Sequence, residues 1–482
     1  MRNHGFLDVI IIYMSQSPSS SPTSLGTSSV GRLLVQYSLP AIIASVATSL
    51  YNIVDSIFIG QGVGPFAISG LAITFPLMNL VIGFCTFIAV GGATISSIFL
   101  GQRNVMRATE VVNTVMALCL IHAAVFGTLT YIYLDPILKL FGATEQTLPY
   151  AREFMRVIVI GTPVSYVFIG LNNIMRATGY PRKAMYSALM SVGVNIILAP
   201  IFIFKLDWGI AGAAWATMCG QTVALVWVLC HFLSKKSYVH FDLRAGFFSS
   251  ALLKRIYAIG LSPFLMNCCA CLVVVFINKS LLDYAVGDGN MAVGAYGILN
   301  RTTMFFVMIV FGVTQGMQPI LGYNFGAGNW DRVKETLKKG IWIGVAITMV
   351  GWVVTESFPD LLSRMFTNDA TIIEIARTGY RVYFIVYPVV GAQIVIQNYF
   401  QSIGKPKMSI LLSLTRQLIF LLPLLWILPP RIGVTGVWAA MSGSDMLAFI
   451  LALVIVIVNT RHLNRKFGSK KNETSVANSV KA

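Results

Sequence analysis

Two long stretches of this chain carry the same landmarks in the same order. Gly179-Tyr180-Pro181 returns as Gly404-Lys405-Pro406, Pro40 as Pro263, Gly70 as Gly294, Asn104 as Asn329, Pro200 as Pro423 and Gly212 as Gly436, all at offsets of 223 to 225 residues. Solenoid repeats recur about every 20–50 residues, so a period this long means that one large helical unit has been duplicated. Chemistry should then show itself where the two copies differ.

Of the 482 residues, 56% are hydrophobic and only 11% charged, against roughly 25% charged in a soluble domain. Short polar breaks divide the chain into twelve apolar runs, near 33–58, 66–99, 108–133, 148–175, 183–205, 209–233, 252–282, 291–323, 331–357, 373–402, 408–428 and 433–459. Each is long enough to cross a ~30 Å hydrocarbon core as a helix. Six fall in each half, and because six is even the second copy inserts in the same orientation as the first, which makes the repeats parallel. The expected fold is an all-α integral membrane protein. Its twelve transmembrane helices form two six-helix lobes, 31–240 and 241–462, related by a pseudo-twofold axis along the membrane normal, with a cleft between them.

Lysine and arginine set the orientation. Twenty-four of the 35 lie in the two tails and in the connections on one face, while the other face carries few, among them Lys139, Lys205, Arg364 and Arg431. The positive-inside rule places that basic face and both termini in the cytoplasm of a cell whose plasma (inner) membrane holds the protein. The net charge of +17 therefore calls for no nucleic-acid partner. Lys470 and Lys471 would instead meet anionic membrane lipids. Residues 1–30 lack a signal-peptide cleavage pattern and read as a disordered cytoplasmic tail, with Met14 a second candidate start, and 463–482 reads as a basic disordered tail. The seven cysteines lie in apolar runs without CxxC spacing, which suits packing rather than a metal site. Walker, HExxH and Gly-x-Ser-x-Gly patterns are missing, so an ATP-driven or hydrolytic enzyme is not expected.

Asp55 is the clearest charge within an apolar run. An aspartate at the centre of a membrane helix costs roughly 2.5–3.5 kcal/mol to insert, so it is expected to face a cavity and to have a task. A position near the helix end, in the headgroup zone, is the plainer alternative. Tyr51 and Asn52 lie four and three residues earlier on the same helical face. In the second copy Asn278 occupies the slot, fifteen residues after Pro263 as Asp55 is after Pro40. A neutral amide neither gains nor loses a proton in the physiological range, so cation coupling belongs to the first half. Pro40 and Pro263 interrupt apolar runs and can act as hinges, as static kinks or as helix starts. Arg416 and Asp445 are the other conspicuous intramembrane charges, Arg416 the only deep basic residue, and they are expected to pair structurally. Gln315, Gln318, Tyr323 and Asn324 lie in a Gly-rich run, where amides either line a wet cavity or bond a neighbouring helix.

Asp55 in the first span, the Gly-x-Pro before the fifth and eleventh, and Gln315-Gly316-Met317-Gln318-Pro319 in the eighth resemble the multidrug and toxic compound extrusion (MATE) family over residues 31–460. A neutral opening of the seventh span, Leu261 to Leu272, is similar to the bacterial and archaeal branch. That resemblance implies a cation site in the N-terminal lobe from Asp55, Asn195 and Thr217, with Tyr51 beside it, and a first helix that bends about Pro40. Relatives carry a second aspartate where this chain has Ala199, a departure that weakens a carried-over sodium site. Backbone carbonyls, Tyr51 or Asn172 are candidates to compensate, and Asn172, Gln315 and Gln318 are candidates for the substrate cleft.

The resemblance implies a monomeric secondary antiporter that exports drug-like, often cationic and amphipathic, small molecules by alternating access. The exchanged ion would be H+, with Na+ the alternative, and no other cofactor is expected. Two other functions fit the same duplication: a lipid-linked saccharide flippase and a passive channel.

Overall fold

The computed structural model describes residues 23–234, 237–285 and 288–479, and Met14 and the run 6–13 lie outside them. Among the described residues the chain is helical throughout, without a strand. Eleven helices are long and apolar enough to cross a membrane, and a bent pair makes the twelfth span. In chain order the spans are α1 (Val30–Gly62), α2 (Pro65–Gly101), α3 (Val105–Ile132), α4 (Leu148–Ile160 and Thr162–Ala177), α5 (Pro181–Pro200), α6 (Gly209–Leu233), α7 (Ser250–Tyr284), α8 (Gly289–Gly326), α9 (Trp330–Ser357), α10 (Ala370–Tyr383 and Tyr387–Ser402), α11 (Pro406–Leu414, continued by Thr415–Leu421 and Leu422–Ile427) and α12 (Val434–Ser479). Several exceed what a bilayer requires: the 38 residues of α8 extend about 57 Å, against a ~30 Å core.

The repeated landmarks are punctuation. Gly179 and Gly404 take φ of 110° and 69° after α4 and α10, a left-handed turn that a residue with a Cβ adopts only with strain. Pro181 and Pro406 then open α5 and α11, where a missing N–H costs nothing. Asn104 and Asn329 both precede a helix, and the Asn104 side chain accepts from the Arg107 amide. One ion pair recurs at offset 225: Arg152 grips Asp135 through two bonds of 2.7 and 2.6 Å, and Arg377 grips Asp360 through two of 2.7 and 2.5 Å. The arginine hydrogen bonds hold Asp135 and Asp360 below the usual carboxylate range. A lowered folded value means that whatever the pairs add is present above the ordinary aspartate range near pH 4 and is lost only as pH falls below it.

The span expected as one helix over 148–175 is two, bent by 55°. Pro163 at the start of the second piece removes a backbone donor, and Pro388 does the same in α10 after the short turn Phe384–Val386. Neither Pro40 nor Pro263 begins a helix, since α1 and α7 run through them. Both tails also depart from the expected disorder. Ser24–Thr27 is a helical turn with Leu25 fully buried, held by Asn324 and Arg332 of the opposite half. At the other end α12 continues past residue 463 to Ser479, because extending a nucleated helix costs little.

The lobes meet along α1 with α8, α2 with α7 and α2 with α8. At the α2–α8 crossing a Cβ on Gly101 would collide with the Tyr323 carbonyl oxygen, and one on Gly326 with that of Ile98. Gly101 and Gly326, like Ile98 and Tyr323, are 225 residues apart, so this reciprocal contact lies on the pseudo-twofold axis. Gly101→Ala and Gly326→Ala are each expected to lower the melting temperature of the detergent-purified protein by several degrees. Gly297→Ala, beside open space, should cause no loss, as alanine gains ~1 kcal/mol over glycine within a helix. Equal melting of all three variants would remove the crossing from its structural role.

Candidate functional site

Inter-lobe hydrogen bonds gather in the half of the bundle that carries the basic connections. Ser38 Oγ donates to the Val313 carbonyl at 3.3 Å, Gln318 Nε2 donates to Thr94 Oγ1 at 2.8 Å, and Arg176 donates to the Gln315 side-chain oxygen. Toward the other end side chains open out: Ile53, Phe75, Leu272 and Val275 are 54–66% exposed. Gln315 and Gln318 thus sit where the two lobes close on each other, each bonded to the opposite lobe. Tyr323 and Asn324 lie at the same end, where Asn324 Nδ2 donates to the Leu25 carbonyl at 2.9 Å.

In the half of the N-terminal lobe away from that closed end, α1, α5 and α6 bring together the residues expected to form a cation site. Asn195 Nδ2 donates to Thr217 Oγ1 at 3.0 Å, and Thr217 Oγ1 donates to the Ala213 carbonyl at 3.1 Å. The Tyr51 hydroxyl reaches Thr217 and lies within electrostatic range of Asp55. Asp55 is 8% exposed, and its Oδ1 is buried without a hydrogen-bond partner among the described residues. This is the site's defining feature, because a buried acceptor left unmet carries a cost that a proton or a cation relieves. Asp55 therefore lies in packed interior. Asn52, expected on the same face, is exposed instead.

Ala199 is fully buried and belongs to an apolar cluster with Ile59, Ile203, Ala213 and Ala216. The position of the missing acid is thus packed dry. Directly after it Pro200 cannot donate, and the helix relaxes into a wide π-type turn, Ile201–Lys205. Asn278 keeps the slot of Asp55 in the other lobe, and its Oδ1 is likewise buried without a partner among the described residues.

Asn172 lies away from Asp55's partners. Its Nδ2 donates to the Ala184 carbonyl at 3.0 Å and to Ser187 Oγ, tying α4 to α5. Gln397, 225 residues later, ties α10 to α11 through Ser413 Oγ at 2.6 Å. A tie present in both copies belongs to the scaffold, and that offset was the available signal. Arg416 Nε donates to Asp445 Oδ1 at 2.7 Å, the pairing expected of them. Arg416 is not the only deep basic residue. Arg176, assigned by sequence to a basic connection, is in the last turn of α4 and points inward to Asn172 and Gln315. Its helical azimuth, which local sequence does not reveal, turns it toward the other lobe.

Twelve spans in two parallel lobes, closed at one end, define a multi-pass membrane transporter and not an enzyme. The chain belongs to the MatE family, whose pattern matches it twice, at residues 40–201 and 259–427. That double match falls on the two repeats. The multidrug export protein MepA of Staphylococcus haemolyticus (strain JCSC1435) is 27% identical over 435 residues, covering 90% of this chain and 95% of that protein. Its counterpart in Staphylococcus aureus (strain N315) is 26% identical with the same coverage. Among solved structures, a MATE in the bent conformation superposes with a TM-score of 0.87 at 22% identity, covering 94% of this chain and 100% of that one. An outward-facing multidrug resistance MATE transporter of the MOP superfamily gives 0.86 at 23% identity, covering 93% and 99%.

The charge pair generates a test. Removing one partner of a buried pair strands the other and costs about 3–5 kcal/mol, whereas replacing both with apolar groups is near neutral. Arg416→Met and Asp445→Leu should each lower the thermal stability of the purified protein, and the double variant should recover much of the loss. Additive losses would deny the coupling.

Proposed function

We propose that this protein is a secondary active multidrug antiporter of the plasma membrane, exporting amphipathic organic compounds in exchange for protons by alternating access. The observation that carries this reading is the partnerless, buried Oδ1 of Asp55 in a lobe whose twofold mate carries an amide instead. The names of the staphylococcal relatives, multidrug export proteins, support the substrate class.

Under the positive-inside rule the end at which the lobes close is cytoplasmic, both termini lie on that side, and the conformation described is open outward. In this state a proton from outside reaches Asp55 and neutralises it, which removes the cost of enclosing a carboxylate. Enclosure shifts α1 about Pro40, and α1 runs directly from that site to the lobe contact at Ser38 and Val313. One helix thus links the protonation site to the gate, which is the coupling that antiport requires. Protons suit the site better than sodium. A proton needs one carboxyl, whereas Na+ asks for several oxygens with negative charge, and the second acid is replaced by Ala199 in apolar packing.

Export measured in proteoliposomes with pH and sodium gradients imposed separately tests this reading. The wild type should follow the pH gradient at fixed sodium, Asp55→Asn should lose at least tenfold of gradient-driven export, and Ala199→Asp should gain a response to sodium. Wild-type export that follows sodium at fixed pH, or that survives Asp55→Asn undiminished, would overturn it. Conductance without counter-transport would point to a channel.

A further inference from the structure

The Asp360–Arg377 clamp repeats Asp135–Arg152, and Arg364 and Arg381 stand within electrostatic range of Asp360 as Lys139 and Arg156 do of Asp135. Two neighbours of the second clamp are not repeated. At the same offset of 225, Glu374 and Asn368 fall on Pro149 and Ala143. The duplicated scaffold closes in the first lobe without an acid or an amide at these points, so the second lobe carries them for another purpose.

An open hollow of about 470 Å³ lies there, lined by Arg364, Asn368, Ala370, Ile373, Glu374 and Arg377. Arg377 is taken by Asp360. Arg364 and Glu374 are exposed, and among the described residues neither side chain forms a hydrogen bond or an ion pair, with the other or with anything else. Opposite charges that share a hollow without joining leave room for a molecule that carries both. The rim indicates which kind. Around the short helix Pro359–Arg364, at the end of α9 away from the lobe contact, Phe358, Leu361, Met365 and Phe366 are 46–72% exposed. Large apolar and aromatic side chains beside charge at the end of a span match the membrane interface, with acyl chains on one side and headgroups on the other. The planar fork of Arg364 suits the oxygens of a phosphodiester. Glu374 suits a primary ammonium, since a quaternary one offers it no N–H and a headgroup without a cation leaves it unpaired.

We propose that this hollow binds the headgroup of a phospholipid that joins a phosphodiester to a primary ammonium, with the phosphate on Arg364, the ammonium on Glu374 and the acyl chains against Leu361 and Met365. The site is separate from the export reading and holds whichever ion drives transport. Native mass spectrometry of the full chain tests it, with phosphatidylethanolamine, phosphatidylcholine and phosphatidylglycerol of identical acyl chains. The wild type should retain phosphatidylethanolamine about fivefold more tightly than the other two, the upper scale of one exposed charge pair. Arg364→Gln should weaken all three lipids, and Glu374→Gln should bring phosphatidylethanolamine down to the level of phosphatidylcholine. Glu374→Lys should turn the preference toward phosphatidylglycerol. Lys139→Gln, at the counterpart of Arg364 in the first lobe, should change none of these. Should Glu374→Lys fail to elute as a folded protein, Glu374→Gln decides, since it removes only the charge. Equal retention of the three lipids by the wild type, or a preference that survives Glu374→Gln, would overturn the site. Glycerophosphoethanolamine, the same headgroup without acyl chains, should not displace the lipid at equal concentration, and displacement would overturn the assignment to a lipid in favour of a free zwitterion.

Discussion

Everything else in this molecule depends on two helices touching without side chains between them. Where Gly101 meets Tyr323 and Gly326 meets Ile98, α2 and α8 pack backbone to backbone across the pseudo-twofold axis. Within a membrane no hydrophobic drive draws helices together, because lipid is as apolar as leucine, so close packing of small residues has to hold them. Placing that packing at one end leaves the other free to separate.

The duplication supplies the frame, and departures from it supply the chemistry. Paired Asp–Arg clamps at the ends away from the lobe contact and amide ties between adjacent helices are written twice. Asp55 against Asn278, and Arg416 with Asp445 against Gly193 with Gln221, are written once. The two lobes thereby differ in their buried charge, an acid with an unmet oxygen in the first and a paired arginine and aspartate in the second. Their polarity follows from an asymmetry laid over a symmetric scaffold.

Much of this was legible before any coordinates. Twelve spans, the parallel duplication and the convergence of Asp55, Asn195, Thr217 and Tyr51 followed from period, apolar run length and resemblance, because each depends on local pattern or on matched positions. The break at Pro163 was legible too, since Pro388 repeats it, but an apolar run that continues through a proline looks unbroken to a hydropathy count. Arg176 was not legible. One residue past an apolar run, it reads as part of a basic loop, and only the packing of α4 against α8 turns it inward. The roles of Gln315 and Gln318 were undecided for the same reason, since an amide in a Gly-rich helix serves a cavity or a neighbour according to what lies opposite.

The turn at Ser24–Thr27 has a consequence for how the protein is made. Leu25 and Ser28 are gripped through their main-chain carbonyls by Asn324 and Arg332, partners 299 to 307 residues further along the chain. During synthesis those partners do not exist until eight spans have been inserted. The main-chain bonds that hold the start of the first lobe therefore form only once the second lobe has begun to arrive. Assembly order, not only transport, is written into that short turn: a tie of the first lobe's closed end waits on residues of the second.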